Sequence, residues 1–165
     1  MPDYLEKFEK MRVAGNLAAR TLDMLTDNIK PGVTTEFIDK LGYEFIRDNG
    51  AYSAPLFYRG FKKSLCTSLN HVVCHGIPSD RILVEGDALN VDVTAIVDEH
   101  YGDTSRMFCI GKTPIKLFDT ERDNPFLIEA GNYIKFDSIT LAEFDQISDL
   151  IKIGNYAIRK ESKLG

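Results

Sequence analysis

Apolar residues recur at helical spacing in the first part of the chain, from Tyr4 to about Asn28. The repeat consists of Leu5, Phe8, Met11, Leu17, Leu22 and Leu25. It stops before Pro31 and Gly32, two residues that do not continue a helix. This pattern predicts one long amphipathic helix.

A second helical pattern follows Thr34, a residue type that caps helix N-termini. Phe37, Leu41 and Phe45 are spaced four residues apart, so we expect one helix face to bury all three. Gly50 follows as a suitable left-handed C-terminal cap. The sequence therefore predicts two helices before any strong strand.

Strict alternation replaces helical spacing in "VEGDALNVDVTAIV", where apolar side chains share one face and polar side chains the other. The apolar set is Leu89, Val91, Val93, Ala95 and Val97, and the polar set is Asn90, Asp92 and Thr94. The segment "DEHYGD" is typical of a tight turn and "YGDTSRMFCIG" of a returning strand. A β-hairpin with its turn near Glu99 is therefore predicted.

The segment between the second helix and the hairpin is rich in aromatic and β-branched residues and is broken by glycine and proline. It predicts a loop, one or two short strands and a turn. His75, in "VVCHGIP", lies where a side chain can project into a cleft, but a lone histidine also fits an ordinary core or loop position. Cys66 and Cys74 also fit as small buried residues, and Tyr58 and Phe61 as core aromatics.

The pattern changes beyond Lys116. A loop is predicted first, then a short strand around residues 133–136, then a helix from about Leu141 to Lys152. Thr140, followed three residues later by Glu143, has the spacing of a capping box at the start of that helix.

Two carboxylates lie on the predicted hairpin. A carboxylate on a half-buried strand face is costly unless it is paired, hydrogen-bonded or bound to a metal. The hairpin places Asp92 opposite Ser105 or Arg106, and Asp103 about 7–10 Å further along the ladder. Two metal ions about 3.5–4 Å apart could bridge that gap. Alternatively, Asp92 pairs with Arg106, and Asp103 is a turn residue bonded to its own backbone. The residues alone leave both alternatives open.

Composition narrows the function classes. The 165 residues fit one domain, and 20 Lys and Arg against 25 Asp and Glu give a net charge of −5 with no basic face, which argues against a nucleic-acid partner. Cys66, Cys74 and Cys109 form no CxxC pair and favour a reducing, cytoplasmic setting. No run of about 18 apolar residues is present, so we expect neither export nor a membrane span.

The segment "NHVVCHGIPSDRILVEGDALNVDVTAIVDEHYGDTSRMFCIGK" resembles the type I methionine aminopeptidases, as do "GVTT" and "FYRGFKKSLCTSLN". The resemblance extends from about Tyr4 to Lys116. It implies an α+β fold, the first half of the pita-bread fold, in which two helices precede antiparallel strands. It also implies a metallo-exopeptidase that removes the N-terminal Met of nascent peptides with two divalent ions, of cobalt, manganese, iron or zinc.

The same resemblance implies roles for individual residues. Asp92 and Asp103 match two metal ligands, Asp103 being of the bridging kind. His75 matches the catalytic histidine that contacts the substrate near the scissile bond. The family's methionine side-chain pocket falls at Tyr58, Phe61 and Cys66.

The sequence departs from the family after Lys116. The resemblance implies a histidine in an "HGIG"-type segment and glutamates in "EP" and "EHT" segments, and none of these follows. Since three of five metal ligands are absent, we expect weak metal binding, little or no turnover, and a possible homodimer that brings two ligand faces together. The alternative is a non-catalytic binding module or a decayed gene-fusion product.

The tail has a resemblance of its own. "GKTPIKLFDTERDNPFLIEAGNYIKFDSITLAEFD" is similar to the C-terminal end of the allophanate hydrolase subunit 1 family, also called the 5-oxoprolinase B-subunit family. We therefore expect a fusion joined near "GKTPIK", with a half-domain at 1–116 and a short foreign α/β tail at 117–165.

Overall fold

The structure, a computed structural model, describes residues 2–111, 113–115, 123–124, 127 and 139–158. Two compact units are present, Met1–Gly111 and Lys112–Gly165. Within the described residues, no helix is both long enough and apolar enough to cross a membrane.

The first helix, α1, comprises Pro2–Thr26, close to its predicted extent. Its buried side chains begin only at Ala14 and continue through Leu17, Leu22 and Leu25. The first part of the predicted apolar stripe is exposed instead, at Leu5, Phe8 and Met11. The reason is that only the second half of α1 packs on the core of the first unit.

The second helix, α2, comprises Thr35–Asp48, and the Thr34 hydroxyl caps it by accepting the Phe37 N–H at 3.1 Å. The predicted buried face was wrong at Phe37, which is 44% exposed. The face that packs inward is centred on Ile38, Gly42 and Ile46. Close packing explains this rotation, because a Cβ at position 42 would lie 2.5 Å from Leu65 Cδ1.

Four antiparallel strands form one sheet with β3 at its centre. The strands are β1 (Tyr52–Ser53), β2 (Cys66–Leu69), β3 (Ala88–Val97) and β4 (His100–Cys109). β3 pairs with β4 along one side and with β1 and β2 along the other. Asp98 and Glu99 form the two-residue turn of the hairpin, both with positive φ, as a type I′ connection requires. The predicted hairpin is confirmed.

The core lies between the two helices and one face of the sheet. Leu89, Val91, Val93 and Ala95 are fully buried there, as their alternation predicted. Gly102 on β4 meets the α1 backbone so closely that a Cβ would lie 2.1 Å from the carbonyl carbon of Ala14. The predicted α+β class, with two helices before an antiparallel sheet, is confirmed.

In the second unit, α3 comprises Leu141–Lys152, as predicted. Its capping box is complete: the Thr140 N–H donates to Glu143 Oε2 at 2.7 Å, and the Glu143 N–H donates to Thr140 Oγ1 at 3.3 Å. The Thr140 hydroxyl also donates to Glu143 Oε2, at 2.8 Å, and the two hydrogen bonds that Thr140 donates lower the pKa of the Glu143 carboxyl. The predicted strand around residues 133–136 lies outside the described residues.

Candidate functional site

The polar face of the sheet, opposite the core, carries three of the six residues predicted to be functional: Cys66, Asp92 and Asp103. We call it the site face. It comprises Cys66 and Ser68 on β2, Asn90, Asp92 and Thr94 on β3, and Asp103, Ser105 and Met107 on β4. Strand alternation forces this division, since the residues between them point to the core.

The register brings the two predicted carboxylates together. Asp92 pairs with Ser105, and Thr94 pairs with Asp103, as the predicted turn required. Asp92 and Asp103 are therefore diagonal neighbours on one face, about 7–8 Å apart. The Thr94 hydroxyl donates a hydrogen bond to Asp103 Oδ1 at 2.6 Å and fixes one of its oxygens.

The alternative roles considered for these residues are contradicted. Arg106 pairs with Val91, so its side chain leaves the site face and donates to Asp23 Oδ1 on α1 at 2.8 Å. It therefore does not neutralise Asp92. Asp103 is an interior residue of β4 rather than a turn residue.

Burial and a neighbouring carboxylate make Asp92 harder to ionise than an exposed aspartate. Burial is the main cause that raises the pKa of Asp92, and the negative charge of Asp103 raises it further. His75 and the Val93 backbone N–H act in the opposite direction. A divalent cation between the carboxylates would remove their repulsion, and carboxylate oxygens are the type of ligand that hard metal ions prefer.

The number of donors is smaller than a closed site needs. Within the part of the chain that the structure describes, no group of three or more His, Cys, Asp or Glu side chains is arranged to hold a metal ion. Asp92 and Asp103 are thus an open pair of oxygen donors. Asn90 and Thr94 accompany them on the site face, and the alternation of the sequence had already placed both there.

His75 lies in the loop between β2 and β3, with φ of 53°. Cys74 before it is exposed, so its interpretation as a small buried residue was wrong. A shallow hollow of about 470 Å³ opens beside this loop. Its walls include Cys74, Ser68, Asp92 and Ser105.

Cys66 pairs with Asp92 across β2 and β3 and is buried. Burial raises the pKa of its thiol to about 11, and the Asp92 charge adds to the effect. Cys66 is therefore a neutral thiol at neutral pH and presents a small apolar surface rather than a nucleophile.

The two aromatic residues predicted for a substrate pocket, Tyr58 and Phe61, follow β1 along the chain. Tyr58 is 63% exposed and starts a short 3₁₀ turn, so it is not a core aromatic, and Phe61 follows that turn half-buried. The backbone around them is strained, with positive φ at Phe57 and Arg59. Neither Tyr58 nor Phe61 lines the hollow beside Asp92.

Comparison with known proteins agrees with this architecture. A sequence profile of metallopeptidase family M24 matches residues 9–125. The methionine aminopeptidase of Rickettsia prowazekii (strain Madrid E) is 58% identical over 109 residues, 66% of this chain and 42% of that protein. Its crystal structure superposes with a TM-score of 0.64 at 57% identity, covering 65% of this chain and 43% of that chain. The Thermotoga maritima methionine aminopeptidase gives 0.63 at 33% identity, covering 66% and 44%.

These neighbours confirm the predicted pita-bread architecture, of which this chain carries a part. The chain spans between 37% and 42% of the length of the curated relatives that it matches. Because the profile match runs from residue 9 to residue 125 of 165, the chain belongs to metallopeptidase family M24.

Proposed function

We propose that the site face is the carboxylate half of a dinuclear metal site of the methionine aminopeptidase kind, which acts on the N-terminal Met of peptides. The observation that carries the proposal is the pair Asp92 and Asp103. They are diagonal neighbours on one face, and among the described residues no Lys or Arg forms an ion pair with either. Two adjacent carboxylates of this kind are stabilised by a divalent cation.

The side chains of this chain would then have distinct tasks. Asp92 and Asp103 hold the ions, which when bound polarise the scissile carbonyl as Lewis acids. His75 holds a proton near the carbonyl oxygen, where negative charge develops. Cys66, as a neutral thiol next to Asp92, would contribute apolar surface for the methionine side chain.

We further propose that the 165 residues as they stand bind metal weakly and turn over little or no substrate. All three histidines lie at or before His100, so the histidine ligand that the family resemblance implies is not among them. The tail from about residue 117 is proposed to derive from the allophanate hydrolase subunit 1 family. A cytoplasmic setting also remains a proposal.

Peptide hydrolysis tests the catalytic part. Release of methionine from a Met-Ala-Ser peptide with Mn²⁺ or Co²⁺ is expected to equal a metal-only blank. Turnover that disappears in Asp103→Ala would contradict the expected inactivity and would mean that other groups complete the ligand set.

A second route to a complete site is a homodimer. Among the described strands, β4 pairs only with β3, which leaves the other edge of β4 without a described partner. We propose a dimer in which the site face of one copy lies against that of the other, so that two sets of Asp92 and Asp103 come together; the open edge of β4 favours such self-association. Sedimentation at micromolar concentration is expected to show self-association, and a stable monomer would contradict it.

The alternative function is a non-catalytic binding module or a fusion product without a selected role. Tyr58 is exposed and does not line the hollow, which favours this alternative over a formed substrate pocket. It predicts that Asp92→Asn and Asp103→Asn leave the response of the protein to metal ions unchanged.

A further inference from the structure

The backbone at His75 is held in a conformation that a non-glycine residue rarely adopts. Its φ of 53° lies in the left-handed region, which costs free energy and persists only where the surrounding structure enforces it. The contacts of the next residue, Gly76, hold the backbone in this conformation.

Gly76 is fixed to β2 at both of its backbone polar groups. The Thr67 N–H donates to the Gly76 carbonyl at 2.8 Å, and the Gly76 N–H donates to Ser68 Oγ at 3.1 Å. A Cβ at position 76 would lie 2.2 Å from the Thr67 carbonyl oxygen, so only glycine allows this approach.

Ser68, which accepts one of these two hydrogen bonds, belongs to the site face. It is 4% exposed and pairs with Asn90, one residue pair along the face from the Cys66–Asp92 pair. Since β2 and β3 are in fixed register, a loop tied to Ser68 has a fixed position relative to Asp92.

We propose that Ser68 is a positioning residue for His75: by accepting the Gly76 N–H, its hydroxyl oxygen holds the histidine loop beside Asp92. The catalytic meaning of that position rests on the proposed function. The positioning itself does not, because it needs neither metal nor turnover.

A double-mutant comparison, in which the NMR signal of the His75 imidazole is measured, tests the proposal. In ¹H–¹³C spectra of the full chain at a fixed pH of about 8, where an ordinary histidine is neutral, Asp92→Asn is expected to move the Cε1–Hε1 signal of His75. The signals of His71 and His100 serve as internal references. In a Ser68→Ala background the same change is expected to move the His75 signal by about twofold less, or not at all.

Ser53 supplies the matched control. It is a buried serine on β1 whose hydroxyl makes no hydrogen bond to any described residue. Ser53→Ala is therefore expected to keep the full response of His75 to Asp92→Asn. An equal loss of response in Ser53→Ala and Ser68→Ala, an undiminished response in Ser68→Ala, or no response in the unmodified background would each overturn the proposal.

A second measurement needs no variant. The Gly76 amide is expected to exchange with solvent at least about tenfold more slowly than an unstructured amide, as a buried bonded N–H does. Unprotected exchange at Gly76 would overturn the proposal even if Ser68→Ala does not fold. A failure of the proposed metal site would instead appear in a manganese titration and leave both readouts at His75 and Gly76 unaffected.

Discussion

Gly102→Ala is the substitution that tests the packing beneath the site face most sharply. Gly102 lies on β4 against α1, where an added Cβ would be 2.1 Å from the Ala14 carbonyl carbon and 2.2 Å from the Gly15 nitrogen. Both are backbone atoms, so no side-chain rotation relieves the contact. To restore an ordinary separation of about 3.5 Å, helix and strand must move apart by more than about 1 Å.

The expected cost follows from what that movement disrupts. Overpacking a close-packed core costs about 1–3 kcal/mol. We expect about 3 kcal/mol, the upper part of that range, because α1 carries Leu17, Leu22 and Leu25 into the same core and they shift with it. For a domain of about 100 residues, this corresponds to a fall in Tm of about 10–20 °C.

Gly15→Ala is the matched control, because nothing lies within 4 Å of a Cβ at that position. In a helix interior, alanine is more stable than glycine by about 0.5–1 kcal/mol. The midpoints of urea and thermal unfolding, followed by circular dichroism, should therefore fall below the wild-type values for Gly102→Ala and rise above them for Gly15→Ala. A Gly102→Ala protein within about 0.5 kcal/mol of the wild type, the usual range for a neutral surface change, would refute the close approach of α1 to β4.

Three further outcomes are expected. Asp39 Oδ1 accepts the Ser64 and Leu65 N–H groups at 2.7 and 2.8 Å, so Asp39→Ala should lose about 2–4 kcal/mol in urea unfolding, whereas a loss below about 1 kcal/mol would contradict the role of these bonds. Burial raises the pKa of the Asp39 carboxyl above 3.8, so the folded state binds its proton more tightly, and the resulting stability is lost as pH rises through the raised pKa. Asp39→Asn keeps an oxygen acceptor without the charge, so its free energy of unfolding should rise relative to that of the wild type between pH 4 and pH 7. If the difference between the two proteins is the same at both pH values, burial does not raise the pKa of Asp39. At pH 8 a thiol reagent should modify exposed Cys74 before Cys66, whose pKa is about 11, and mass spectrometry showing the reverse order would contradict the burial of Cys66.

The parts of the fold that the sequence predicted are those governed by local periodicity. The β3–β4 hairpin follows from strict alternation and a short turn, and that register alone places Asp92 diagonal to Asp103. The capping box of α3 is equally local, because Thr140 and Glu143 are only three residues apart.

The features that the sequence did not predict depend on tertiary packing. α2 offers two neighbouring apolar stripes, and the close approach of Leu65 to Gly42 selects the one that contains Ile38 rather than Phe37. The bond from Gly76 to Ser68 depends on how the loop folds back on β2, so spacing gave no signal for it. The same fold-back leaves Cys74 exposed, against the prediction.

We propose that Asp92 and Asp103 form a divalent-metal face, and calorimetric titration of the purified chain with Mn²⁺ measures the affinity of that face for metal. Asp98→Asn is the matched control, since Asp98 is an exposed aspartate in the turn of the same hairpin. We expect no stoichiometric metal after purification and a dissociation constant of about 0.1–1 mM or weaker, as for sites with few ligands. Binding should be lost in Asp92→Asn and in Asp103→Asn and kept in Asp98→Asn. Equal binding by all four proteins would contradict the assignment of the face, and two tightly bound ions per chain would contradict the incomplete ligand set.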